Sequence, residues 1–343
     1  MRYMTTAKLQ KDMVLGQDIY DGCGNLLFPK GMALIYENIQ KLQSLGCPGV
    51  YLEDALGKGV AMPMAVSAEL RRRALELVSG LFQDERQPDI SQEQIQGLAQ
   101  DLVEELRGHK NPLYNMRDIK TYGDYTYFHS VNVAVISVIL GMSCDLEPEG
   151  LVELALAALL HDIGKRYVEP EVLSAKRMLT DEERVLIVQH PKLGYEFLQK
   201  HYHFSHEVCI NVLEHHEWYN GCGYPMRKSG AEIPLYARIV KLADVYDAMT
   251  SKLPYHEPIP PSAAAEYILD SAGAEFDPAL VDIFQQKVAL YPAGCEVLLS
   301  DGSLAIVMEN FGDAMQTPRV KVISSGELLD LRSKNAGGLV ILE

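Results

Sequence analysis

Read for its alternation of apolar and polar positions, the chain falls into three parts. Residues 1–60 mix strand-like and helical patterns. DMVLGQDIY and NLLFPKGMAL read as strands separated by Asp21-Gly22-Cys23-Gly24, a turn signal. IYENIQKLQSLG places Ile35, Ile39, Leu42 and Leu45 at helical spacing, with Gly46 as its stop, and GVYLE reads as a third strand. Residues 64–290 are helical throughout. Leu70, Ala74, Leu77 and Leu81 share one side of the first helix, and Arg71-Arg72-Arg73 read as its solvated face. Ser91 and Gln94 form a capping box that opens a second helix through Leu106, and Thr180 with Glu183 opens another. Residues 291–343 turn to strands again: CEVLLSDGSLAIVMEN is a hairpin around Asp301-Gly302, and RVKVIS and GGLVILE follow. The expected fold is mainly α, with a small N-terminal α/β module and a small C-terminal antiparallel β module.

Composition narrows the class. A net charge of -16 repels polyanions, which argues against general nucleic-acid binding. The six cysteines form no CxxC pair and suit reduced thiols. MRYMTTAKLQ lacks the apolar core of a signal peptide, and Val131–Met142 is too short to span a bilayer. The expectation is a cytoplasmic protein with no membrane segment. The N-terminal module fits a sensory, dimerising or packing role, so a homodimer is one assembly open to it.

One stretch brings chemistry into the picture. In LVELALAALLHDIGK, ten mostly apolar residues run into His161-Asp162. Burying even a neutral polar group without a partner costs roughly 2–7 kcal/mol, so the pair needs a partner, either a capping hydrogen bond or a cation at the helix end. His129 heads the apolar run SVNVAVISVIL, His190 precedes Pro191 at a bend, His215-His216 end an amphipathic helix, and Asp244 lies within IVKLADVY. Each gap between these positions fits a helix and its connection. Five histidines and two carboxylates exceed the needs of one tetrahedral zinc and suit two metals with a bridging carboxylate. His201, His203 and His206 read instead as a polar surface cluster.

The order H…HD…H…HH…D resembles the HD hydrolase superfamily. HDIGK together with HHEWYNGCGYP resembles its HD-GYP branch, the cyclic-dinucleotide phosphodiesterases, over about residues 116–255. That resemblance implies an HD-type helical bundle with two divalent transition-metal ions, iron or manganese favoured and zinc admissible. It assigns His129, His161, Asp162 and Asp244 to one ion. Asp162 bridges to a second, held by His190, His215 and His216. It makes Lys165 and Tyr224 substrate-phosphate contacts, with Gly223, Tyr224 and Pro225 forming the substrate-side turn. The implied reaction is hydrolysis of a cyclic dinucleotide, cyclic di-GMP first, by a bridging hydroxide, with Asp162 and Lys165 as the catalytic pair. The alternative is a signalling or binding protein that retains the metal site with little or no activity. Two departures stand out. Tyr125 replaces a glutamate that binds a third metal in some members, and Leu253 replaces a phosphate- or guanine-facing arginine, which predicts weak grip on cyclic di-GMP.

Overall fold

The structure, a computed structural model, describes residues 1–20, 26–60, 65–83, 90–109, 125–175, 177–251, 258–312, 314–333 and 336–342, the side chains of Gln83 and Tyr125 excepted. The turn expected at residues 21–24 and the departure at Leu253 lie outside the described residues. So does the side chain of Tyr125. The chain forms two compact units, one drawn from Met1–Met64 and Gln285–Glu343, the other from Ala65–Pro112 and Tyr125–Phe284.

In the first unit β1 (Arg2–Thr5) pairs antiparallel with β4 (Gly49–Leu52), and β2 (Ile19–Tyr20) pairs with β3 (Leu26–Phe28). Helix α1 (Tyr36–Ser44) turns Ile39 and Leu42 into their core, where Leu15, Ile19 and Val50 are buried. The C-terminal strands β5 (Glu296–Leu298), β6 (Leu304–Glu309), β7 (Arg319–Val322) and β8 (Leu328–Asp330) form an antiparallel sheet in sequence order. The backbone amide of Tyr3 donates to the Gly294 carbonyl at 2.9 Å, so both ends of the chain share this unit. GGLVILE does not form the fourth strand. It contributes one bridge, Ile341 to Leu299, and the ladder is completed by Leu328–Asp330 instead. Four residues of apolar run carry no information about which strand edge is free.

The second unit is helical: α2 (Ala68–Gln83), α3 (Gln92–Gly108), α4 (Tyr125–Gly141), α5 (Pro148–Leu160), α6 (Pro170–Leu173), α7 (Asp181–Val188), α8 (His190–His201), α9 (His206–Glu214), α10 (Leu235–Thr250), α11 (Pro261–Asp270) and α12 (Pro278–Lys287). Both expected capping boxes are present, at Ser91 with Gln94 and at Thr180 with Glu183. Helix α4 is apolar almost all round, from Val131 to Leu140, and it sits at the centre, packed chiefly on α5 and α10. Helix α9 packs on α5 and α8, and α8 packs on the 3-10 turn Ile163–Tyr167. A side chain from the polar head of α4 or the end of α5 therefore points into the middle of the bundle. No described helix is long and apolar enough to cross a membrane.

Candidate metal centre

Helix α5 ends at Leu160, and His161 and Asp162 follow, almost fully buried. The chain then tightens into the 3-10 turn, because Gly164 lies against α8. A Cβ on Gly164 would fall 1.9 Å from the His190 carbonyl oxygen, closer than any side chain permits. That approach brings His190 to Asp162. Two groups of ligand-type atoms result: His129, His161 and Asp162 in one, His190, His215 and His216 in the other. Asp162 faces both. Its Oδ1 is 3.2 Å from His190 Nε2, and its Oδ2 lies 3.5 Å from His161 Nε2 and 3.9 Å from His129 Nε2. Asp244, on α10, places Oδ1 2.9 Å from His129 Nε2. The seven residues anticipated from the sequence thus converge from α4, α5, α8, α9 and α10.

Three of the rings are oriented in the same way. Nδ1 of His161 is 2.7 Å from the Ala158 carbonyl, Nδ1 of His190 is 2.7 Å from that of Ile187, and Nδ1 of His215 is 2.8 Å from that of Val212. A carbonyl only accepts, so in each neutral ring the proton belongs on Nδ1 and Nε2 carries a bare lone pair. His161 Nε2 is buried without a hydrogen-bond partner. His190 Nε2 and His215 Nε2 face each other at 3.1 Å, two acceptors with no proton of their own to share. Lone pairs converging in this way fit a cation, which is the test the donor set passes.

The electrostatics agree. Burial lowers the pKa of His161, and burial with neighbouring histidines holds His215 and His216 well below the usual range. These rings are neutral at pH 7, as ligands must be. Burial pushes Asp162 upward, but Lys165, His161 and His190 outweigh it and keep the carboxylate ionised. Asp244 is likewise held low, against burial, by His129. Burial also opposes charge on His129, yet its hydrogen bonds to Asp244 and Asp247 raise it to about 9. Two carboxylates grip this one ring, and a divalent ion could take the place of the proton on its Nε2.

Lys165 Nζ is 2.5 Å from Asp162 Oδ2 and its side chain is partly exposed. Tyr224 donates its amide to the His216 carbonyl at 3.2 Å, and its ring stacks on His216 with centroids 4.8 Å apart. Gly223 is required by close packing: a Cβ there would meet the Trp218 nitrogen at 2.2 Å. Pro225 follows through a cis peptide and is exposed.

Several residues escaped the sequence reading. Asp247 accepts from His129 Nδ1 at 2.8 Å and fixes that ring as the carbonyls fix the others. Its place three residues after Asp244 on the same helix face was the available signal. Asn132 donates to Asp247 Oδ1 at 3.1 Å. Glu217 is buried, and its carboxylate accepts from the backbone amides of Met226, Arg227 and Lys228 at 2.5, 3.0 and 3.1 Å, which secures the loop beyond Pro225. Arg71 is not on a solvated face: it is partly buried and donates to Asn132.

A helical bundle whose successive helices deliver histidines and aspartates to one buried centre defines an HD-type domain. The HD domain family profile matches residues 106–280, just over half of the chain. The chain belongs to the HD domain family, and within it to the HD-GYP branch. It is 38% identical over 264 residues to a cyclic di-GMP phosphodiesterase of Pseudomonas aeruginosa, covering 76% of this chain and 63% of that one. It is 42% identical over 130 residues to a cyclic di-GMP phosphodiesterase response regulator of Xanthomonas campestris pv. campestris, covering 38% and 34%. A 3'3'-cGAMP-specific phosphodiesterase of Vibrio cholerae is 35% identical over 153 residues, covering 45% and 35%. The chain therefore spans less than two thirds of the length of these curated relatives.

Proposed function

We propose that the protein is a metal-dependent phosphodiesterase that hydrolyses a cyclic dinucleotide, cyclic di-GMP first among the candidates. The observation that carries this reading is Asp162, buried between two histidine groups with one oxygen turned to each. His129, His161, Asp162 and Asp244 would hold one divalent ion, and His190, His215 and His216, with the other oxygen of Asp162, a second. Mixed imidazole and carboxylate donors suit iron, manganese or zinc, and the family resemblance favours the first two. Such a pair of ions, when bound, activates a water and stabilises both the attacking and the leaving oxygen of an in-line displacement at phosphorus.

The chain's own residues supply the rest. Lys165, tethered by Asp162 yet partly exposed, can bring its ammonium to a phosphate oxygen. Tyr224, braced on His216, and the turn Gly223–Pro225 form the substrate-side wall. Glu217, by holding three consecutive amides, keeps that wall in register. The division at residues 60/64 and 290/291, a cytoplasmic location and a homodimer belong to the same reading. The test is anaerobic purification with elemental analysis, followed by chromatography of a panel of cyclic dinucleotides incubated with the protein. Close to two transition-metal ions per chain and a linear product are expected. Metal without turnover would instead favour a binding protein that retains the site, and absence of metal would remove both readings.

A further inference from the structure

A line of hydrogen bonds runs from the surface of α2 to the buried centre. Arg71 Nη1 donates to Asn132 Oδ1 at 3.1 Å; Asn132 Nδ2 donates to Asp247 Oδ1 at 3.1 Å; His129 Nδ1 donates to Asp247 Oδ2 at 2.8 Å. The Ser251 hydroxyl also donates to Asp247 Oδ2, at 3.2 Å. Asn132, Asp247 and His129 are all almost completely buried. The direction of the line is fixed at both ends. A guanidinium only donates, so it must meet the oxygen of the amide. A carboxylate only accepts, so it must meet the nitrogen. The guanidinium also polarises the amide and strengthens its donation to Asp247, and hydrogen bonds in series reinforce one another where the local dielectric is low.

Building on the metal reading above, we propose that Arg71 is a positioning residue for the ion held by His129, acting through Asn132 and Asp247. Asp247, by holding Nδ1, sets which ring nitrogen of His129 is turned to the ion and where it points. Asn132 fixes the plane of the Asp247 carboxylate, and Arg71 fixes Asn132. Helix α2 carries no ligand, yet its placement is read at the metal centre. It is also the first helix after the N-terminal strands in sequence, so a displacement of α2 would loosen His129 without touching any ligand.

The experiment is a Mn2+ titration of anaerobically prepared, metal-stripped full-length protein against a competing chelator, with a thermal melt of each metal-free variant. Loss of a partner one bond from a ligand weakens metal affinity about 10–100-fold, and Arg71 acts two bonds further out, so Arg71→Met should weaken one of the two ions about three- to tenfold. Arg71→Lys, which keeps a charged donor, should restore most of that loss. Arg72→Met, which removes a neighbouring arginine paired with Glu76, should change nothing. In an Asn132→Ala background, Arg71→Met should add no further loss, because the line is already cut. A variant that does not fold is replaced by Arg71→Gln, which keeps a donor, drops the charge and should show a smaller loss in the same direction. Wild-type affinity in a folded Arg71→Met protein overturns the proposal, as does an equal further loss in the Asn132→Ala background. A wild type that binds no Mn2+ fails at the metal reading itself, a different and recognisable result.

Discussion

Asp162→Ala is the sharpest probe of the centre. The side chain is 1% exposed and turns Oδ1 to His190 and Oδ2 to His161 and His129, so its removal takes an oxygen from both histidine groups at once. It also strips Lys165 of the carboxylate 2.5 Å from its ammonium. Removing one partner of a buried charge pair costs about 3–5 kcal/mol. At about 1.4 kcal/mol per tenfold, the Kd of each ion should rise about 10²–10³-fold or more. His161→Ala is the matching control, since His161 belongs to one group only and should release one ion in preference to the other. The assay is metal content by elemental analysis after anaerobic purification, joined to a two-site Mn2+ titration. Circular dichroism checks that the bundle persists. An Asp162→Ala protein that keeps both ions, or that loses one and holds the other at wild-type affinity, would refute the bridging role.

Further outcomes can be checked alongside it. Lys165→Ala should leave metal content intact and lower turnover on the order of 10²–10³-fold, the cost of one charge-stabilising contact; single-turnover hydrolysis alongside elemental analysis decides it. Leu253→Arg should lower the KM or Kd for cyclic di-GMP by up to about 1.5–3 kcal/mol, the worth of a hydrogen bond to a charged group; tight wild-type binding with no gain in the variant would show that this position does not set affinity. Cys47 is buried and its thiol is pushed up to about 12, whereas Cys222 is exposed. Because the folded pKa of Cys47 lies above that of an unfolded cysteine, near 8.5, its contribution to stability is present below about pH 8.5 and fades as pH rises toward 12. Thiol alkylation near pH 8 should therefore modify Cys222 before Cys47, which it should reach only on unfolding. Early modification of Cys47 would contradict its burial.

The parts of the fold that were legible in the sequence are those written locally. Capping boxes at Ser91 and Thr180 depend on residues three apart, and both formed. The cluster of His129, His161, Asp162, His190, His215, His216 and Asp244 was legible because apolar helices rarely end in His-Asp or His-His without a reason, and the reasons add when the gaps match helix lengths. What stayed hidden was nonlocal. Asn132 and Asp247 lie 115 residues apart, and nothing in either segment names the other. Glu217 reads as one more charged residue until its loop folds back over it. In the run Arg71-Arg72-Arg73 successive side chains point about 100° apart, so three arginines cannot share one face; Arg71, next to buried Leu70, is the one turned inward. The strand expected at GGLVILE failed for a related reason, since strand pairing is decided by which edge is vacant and not by the run itself.

The three carbonyls that orient His161, His190 and His215 have a further meaning. Ala158, Ile187 and Val212 each stand three residues before the histidine they hold, in the last turn of α5, α7 and α9. Carbonyls in a last turn have no helical partner and must find a donor. Here the imidazole is that donor, so the bond that finishes the helix is also the bond that aims the ring. On the proposed metal reading, punctuation and coordination would be one event, repeated at three helix ends. Fraying of a final turn would then be felt as a lost ligand, and an ion drawing on Nε2 would tighten the turn behind it. On that reading, order at these helix ends and occupancy of the centre would be two readings of a single equilibrium.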